Sequence, residues 1–303
     1  MMFPSSIDIT EVGPRDGLQN QGAVISTETK ISFVEALSKT GLKRIEASSF
    51  VNPKWVPQLA DASEVFARMK RTDGVKYTAI VPNEMGWNRA SEVGVDEIAL
   101  MTAASESFCK RNINTTISGS IERMEPVIEF ARSAGVGIRG YVSCVVACPY
   151  EGEIESKKVR DVVEQLIAIG VDDVALGETI GVAVPTDIFR LYEALENVLS
   201  PTDSILHLHD TRGTALACAS TAMQLGVRRF DSSSGGLGGC PYAPGAAGNL
   251  ATEDLVYFAN RMGIDTGINL DELLGAIKAI EQSLDAPLTS RVYRASSCQD
   301  PSS

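Results

Sequence analysis

Ile7-Asp8-Ile9-Thr10-Glu11-Val12-Gly13-Pro14-Arg15-Asp16-Gly17 reads as a strand, Ile7 to Val12, that runs straight into a polar turn. In a doubly wound open sheet the first such turn carries spaced glycines that let the backbone approach a dinucleotide. Gly13 to Gly17 does not follow that pattern. The same unit, a short β-branched run and then a longer amphipathic stretch, recurs along the chain. Strands are expected to begin near Ile7, Lys43, Val75, Asp96, Val136, Asp173, Ser204 and Arg228. Between Glu155 and Ile169, for example, Val159, Val162, Val163, Leu166 and Ile167 fall on one helical face. This succession has no long linker, charge block or low-complexity segment, and it predicts an α/β chain closed into a (β/α)₈ TIM barrel. The expected organisation is a single catalytic domain over residues 1–303. From about residue 265 it becomes a C-terminal extension, with a helix from Asn269 to Leu284 and a frayed tail after Arg294.

Composition narrows the function. With 303 residues, 44% hydrophobic and 22% charged, the chain has enough apolar material for a large core. The net charge of -12 argues against a nucleic-acid partner, which would call for a basic face. No apolar run reaches the ~20 residues needed to span a bilayer, so no membrane partner is expected. The opening strand leaves no room for a targeting segment, and a cytoplasmic location is the expectation. Six cysteines are too few for a disulfide scaffold at this size. Cys144 and Cys148, four apart, are read as structural thiols.

In a barrel of this kind, chemistry sits where the strands end. Arg15 and Asp16 follow the first strand, Glu46 ends the second and Glu178 follows the sixth. The seventh ends in Leu206-His207-Leu208-His209-Asp210, which contains both histidines of the chain. Residues two apart on a strand project from the same face, so the two imidazoles stand side by side, as metal ligands would. Asp16 and Asn249 are the natural oxygen donors beside them, while Asp210 points to the opposite face and suits a supporting hydrogen bond. A mixed nitrogen and oxygen set fits Mg²⁺, Mn²⁺ or another divalent ion better than a thiolate zinc site. Arg15 could neutralise a developing enolate oxygen or a carboxylate, form a structural salt bridge to Glu11 or Glu46, or do both. After the eighth strand comes the glycine-rich run Gly235 to Asn249, read as a mobile lid or a close ligand contact; Cys240 within it is a candidate reactive or proton-donating thiol.

Taken together, Glu11-Val12-Gly13-Pro14-Arg15-Asp16-Gly17-Leu18-Gln19-Asn20, Ser49-Phe50-Val51-Asn52-Pro53-Lys54-Trp55-Val56-Pro57-Gln58, His207 to Asp210, and Gly236 to Asn249 resemble the 3-hydroxy-3-methylglutaryl-CoA lyase family. Arg139 to Cys144 and Gly248 to Leu255 add to the likeness, which runs from Ile9 to about Leu284. The resemblance implies a metal-dependent barrel that cleaves 3-hydroxy-3-methylglutaryl-CoA to acetyl-CoA and acetoacetate, with an acyl-CoA as its small-molecule partner and a homodimeric assembly. It makes Asp16, His207, His209 and Asn249 the metal ligands, Arg15 the enolate-stabilising group and Cys240 the acid in a closing loop. Glu11 and Glu46 give polar support, and either His207 or Asp16 is the base. The chain departs from the family pattern at Leu176-Gly177-Glu178, where Asp is expected and Glu is one methylene longer. Basic residues for the coenzyme phosphates are not evident; Lys54, Lys110 and Arg111 are the nearest candidates.

Three other readings share these features. A lyase for a related 3-hydroxyacyl-CoA would differ mainly in pocket volume around the C3 substituent, which discriminates weakly. A Claisen-type synthase joining an acyl-CoA to a 2-keto acid would share the paired histidines and the Arg-Asp turn but not the Cys240 loop. A metal-binding barrel without turnover is the non-enzymatic alternative.

Overall fold

The computed structural model describes residues 3–238 and 248–297. Eight parallel strands close on themselves: β1 (Asp8–Glu11), β2 (Arg44–Ser49), β3 (Lys76–Ile80), β4 (Glu97–Ala103), β5 (Gly137–Ser143), β6 (Asp173–Glu178), β7 (Ser204–Leu208) and β8 (Arg229–Ser232). Each pairs with its neighbours in sequence, and β8 pairs with β1 from Asp8–Arg229 to Glu11–Ser232. The expected strand starts at Asp173 and Ser204 are the observed ones, and the other six are observed one residue later. Between strands run the helices α1 (Thr27–Leu37), α2 (Ala62–Arg68), α3 (Glu84–Val93), α4 (Glu106–Asn112), α5 (Ile117–Ser133), α6 (Ser156–Ile169), α7 (Pro185–Ala194) and α8 (Ala215–Leu225). Beyond β8 follow α9 (Thr252–Arg261), α10 (Leu270–Glu281) and α11 (Arg291–Ser297).

Helix α6 shows why these stretches fold as they do. Val159, Val162, Val163 and Leu166 bury one stripe against the strands, and Gly170 ends the helix in the left-handed conformation that suits glycine. Ile167, expected on that stripe, is instead 41% exposed, because it falls one step round the helix from Leu166. The apolar core divides into two parts. The larger lies between helices and strands, and a small cluster of Ile80, Ala99, Tyr141, Ala175 and Ile205 fills the inside of the barrel. Cys144 and Cys148 are buried free thiols, in keeping with their structural reading.

The tail is more ordered than expected. Residues after Arg294 continue α11 as far as Ser297, because the Asp254 carboxylate caps that helix from another part of the chain. It accepts hydrogen bonds from the Ser290 hydroxyl at 3.0 Å and from the Arg291 and Val292 N–H groups at 3.2 and 2.8 Å. No helix among the described residues is long and apolar enough to cross a membrane.

Candidate metal centre

The turn after β1 is one π-helical turn, Gly13–Gly17, in which Arg15, Asp16 and Gly17 all direct N–H groups at the Val12 carbonyl, at 3.1, 2.7 and 3.2 Å. Such wide turns re-aim side chains at functional sites. Glu11 holds this one in place. Its two carboxylate oxygens accept from the Gly13 N–H at 2.7 Å, the Ser234 N–H and hydroxyl at 2.8 and 2.6 Å, and the Thr252 hydroxyl at 2.7 Å. Four donors fill the carboxylate and tie the first turn to the segment after β8. Gly17 permits the close approach, since a Cβ there would lie 2.7 Å from that of Leu237.

Arg15 and Asp16 thereby reach the mouth of the barrel. The Arg15 guanidinium bridges the Asp16 carboxylate, at 2.6 Å through Nη1, and Glu46 through Nε. Of the two salt-bridge partners considered for Arg15, Glu46 is the one used; both Glu11 oxygens are taken up elsewhere. The side chain also lines the cavity, so it is both braced and available. Burial works to lift the Asp16 pKa, but Arg15 and the two imidazoles outweigh it and hold the carboxyl at about 2. The guanidinium is pushed further up by its two carboxylates.

His207 and His209 leave β7 on the same face, their ring centres 5.3 Å apart. Potential ligand atoms of Asp16, His207 and His209 all lie within 4.8 Å of one another. Burial and the neighbouring His207 press His209 down to about 4, favouring the neutral ring that a metal requires. For His207, burial is overcome by the carboxylates of Asp231 and Asp16, and its pKa is raised.

Asn249 arrives by main-chain pairing. Residues 248–250 lie antiparallel along the end of β7, with the Asp210 N–H on the Gly248 carbonyl at 2.7 Å and the Leu250 N–H on the Leu208 carbonyl at 2.9 Å. The Asn249 amide nitrogen donates to Asp16 Oδ2 at 2.8 Å and to the Leu237 carbonyl at 3.0 Å. Its Oδ1 is buried and has no hydrogen-bond partner, and the same holds for Nδ1 of both His207 and His209. An unsatisfied acceptor such as the Asn249 oxygen, beside a buried carboxylate, is costly in a folded protein unless a cation completes it. The donor set therefore fits a divalent ion.

Above this group opens a cavity of about 750 Å³ reaching from the histidines to Trp55 and Arg111. Of the candidate coenzyme cations, Lys54 and Lys110 lie outside its walls. Arg111 lines it, its guanidinium 4.4 Å above the Tyr150 ring, and so does Arg123, which sequence reading passed over. Glu46 and Glu178 are buried behind the wall. The Glu178 carboxylate accepts the Val182 N–H of its own loop at 3.1 Å, and burial raises its pKa. Asp210 is likewise occupied with the Ala215 N–H at 3.0 Å and Arg291 at 2.7 Å. Cys240 lies outside the described residues.

A family model described as HMGL-like matches residues 6–280. The mitochondrial hydroxymethylglutaryl-CoA lyase of Bos taurus is 47% identical over 293 residues, covering 97% of this chain and 90% of the bovine protein. The chain belongs to the hydroxymethylglutaryl-CoA lyase family. Solved members of the lyase family share its architecture. The Bacillus subtilis HMG-CoA lyase superposes with a TM-score of 0.96 at 45% identity, covering 98% of this chain and all of that one. An HMG-CoA lyase from Acinetobacter baumannii, solved in complex with coenzyme A and 3-methylmalate, superposes at 0.92 with 36% identity, covering 99% of this chain and 98% of that one.

For this lyase-family chain, sequence reading missed Tyr141, Arg139 and Asp231, which form a buried polar cluster beneath His207. Arg139 Nη1 donates to Asp231 Oδ1 at 2.9 Å, and the Tyr141 hydroxyl donates to Asp231 Oδ2 at 2.8 Å. A signal existed: Asp231 is a charged residue within a short strand, between Phe230 and Ser232. A charge there has to be paired with something across the barrel.

Proposed function

We propose that this protein cleaves 3-hydroxy-3-methylglutaryl-CoA to acetyl-CoA and acetoacetate, using a divalent cation, Mg²⁺ or Mn²⁺, held by Asp16, His207, His209 and Asn249. The observation that carries this reading is the convergence of Asp16, His207 and His209 within 4.8 Å at the floor of the cavity. The resemblance of nearly the whole chain to lyases of that name supports the substrate. When bound, the ion supplies Lewis-acid polarisation of the substrate's oxygens.

The chain's own groups do the rest. The C3 hydroxyl proton passes to Asp16 or His207, the two cavity-floor groups able to take it. The C2–C3 bond then breaks, its electron pair staying with C2 as a thioester enolate while C3 becomes the ketone carbon of acetoacetate. Arg15, anchored by Glu46, places a fixed positive charge for the enolate oxygen without reorganising. Cys240 delivers the proton to C2 that yields acetyl-CoA. Glu11 and Glu178 act by positioning, the first on the Arg15 turn and the second on the loop after β6. Arg111 and Arg123 on the cavity wall supply cations for the coenzyme phosphates.

We read the chain as one catalytic domain that works as a homodimer, the commonest symmetric assembly, which sedimentation would check. Buried free thiols suit a reducing compartment such as the cytoplasm. The deciding experiment is incubation of metal-stripped protein with 3-hydroxy-3-methylglutaryl-CoA, with and without Mg²⁺ or Mn²⁺, following both products. Metal-dependent formation of acetyl-CoA and acetoacetate in equal amounts is expected. A folded, metal-loaded protein that forms neither would refute this reading and turn attention to a 3-hydroxyacyl-CoA with another C3 substituent.

A further inference from the structure

We propose that Asp231 is a positioning residue for His207: it accepts the imidazole's Nδ1 proton and so turns the Nε2 lone pair toward Asp16 and His209, where the cation would sit. Register brings the two together. His207 on β7 and Asp231 on β8 are direct partners in the parallel ladder, and Asp231 Oδ2 lies 3.5 Å from His207 Nδ1. Nδ1 is buried and has no closer partner. The ring tautomer is set by the hydrogen bond that one nitrogen makes. A proton on Nε2 instead would leave the Nδ1 lone pair facing the lone pairs of a carboxylate, which is repulsive; a proton on Nδ1 makes the contact attractive.

The carboxylate cannot swing away. Its side chain has no solvent exposure, Arg139 holds Oδ1 at 2.9 Å, and the Tyr141 hydroxyl holds Oδ2 at 2.8 Å. Each oxygen has two lone pairs, so Oδ2 keeps one for His207. Arg139 is itself fixed across the barrel, with Nη2 on the Thr10 hydroxyl at 3.1 Å. The Tyr141 ring meets the His207 ring edge-on, at 88° and 6.3 Å, which restrains the imidazole from the side. A contact of 3.5 Å is long for a hydrogen bond, and contacts of this kind shorten once a ligand engages the other nitrogen.

The inference rests on the ligand role proposed for His207 and, with both imidazole nitrogens engaged, leaves Asp16 as the base; its test separates the inference from the ligand role. The chain has only two histidines, so a long-range ¹H–¹⁵N spectrum of ¹⁵N-histidine-labelled protein contains two imidazoles, assigned with His209→Gln. At alkaline pH, where the rings are neutral, His207 is expected to carry its proton on Nδ1, and titration with Mg²⁺ is expected to move its Nε2 resonance. Asp231→Asn should shift the tautomer toward Nε2–H and weaken Mg²⁺ binding by roughly 10- to 100-fold, as loss of an outer partner of a metal-bound histidine does, with the melting temperature recorded alongside. A wild-type His207 protonated on Nε2 overturns the inference even if the variant fails to fold. So does a folded Asp231→Asn with wild-type Mg²⁺ affinity. Mg²⁺ that moves neither imidazole of wild-type protein would instead overturn the ligand reading, while the metal-free tautomer still decides the role of Asp231.

Discussion

Asn249 gives its amide nitrogen to Asp16 at 2.8 Å and keeps its own oxygen buried without a partner, so one side chain both steadies a proposed ligand and offers another. The contact joins residues 233 positions apart. Asn249→Ala removes both functions. Mg²⁺ affinity measured by calorimetry should fall by at least the order of 10- to 100-fold typical of lost supporting contacts. Unchanged affinity would mean that the orphaned oxygen faces something other than a cation.

Arg15 is braced by Glu46 and Asp16 and also faces the cavity. Arg15→Lys keeps a positive charge but loses the planar fork that spans both carboxylates. Turnover should fall by about 10²- to 10³-fold, the usual effect of losing a preorganised oxyanion donor. The Michaelis constant should change far less. A comparable rise in the Michaelis constant with intact turnover would make Arg15 a binding group only.

For Cys240, Cys240→Ser should leave metal binding intact and lower turnover by about 10²- to 10⁴-fold, the contribution of a positioned acid. Parallel measurement of metal content and single-turnover rate tells a lost proton donor from a lost cation. Normal turnover in the variant would remove Cys240 from the proposed catalytic groups.

Glu253 yields a prediction about pH. Burial, outweighing hydrogen bonds from Ser290 and Gly235, lifts its carboxyl from 4.5 to about 8. The folded state therefore binds this proton more tightly than the unfolded chain, and stability falls as pH rises from about 4.5 through about 8. Glu253→Gln keeps an acceptor for the Gly235 N–H, whose contacts to the carboxylate are 3.0 and 3.1 Å, and cannot ionise. Melting temperatures across pH 5 to 8 should decline less steeply in the variant, leaving it the more stable protein at pH 8. Identical slopes would show that Glu253 is not what makes stability pH-dependent here.

Much of the fold is local and was legible in the chain. Strand starts at Asp173 and Ser204 needed only the β-branched runs that follow them, and α6 needed only the recurrence of Val159, Val162, Val163 and Leu166. The pair His207 and His209 was legible for the same reason, because strand geometry puts alternate residues on one face. The fate of Ile167 shows the limit. Periodicity defines a stripe only to within a residue or so at its edge, and packing decides which residue is covered.

Sequence alone therefore determined the barrel, the strand-end positions of Arg15, Asp16, Glu46, Glu178 and the histidines, and the family likeness, all of which depend on short-range pattern. Only the tertiary structure decided which polar groups share an environment. It spent Glu11 on the first turn, sent Glu178 to its own loop, and ordered α11 through Asp254. It also set Asp231 between Arg139, Tyr141 and His207, contacts that join β8 to a strand some 90 residues earlier. Closing the barrel brings distant strands together, and a buried charge takes its partner from whatever faces it there, which no local spacing encodes.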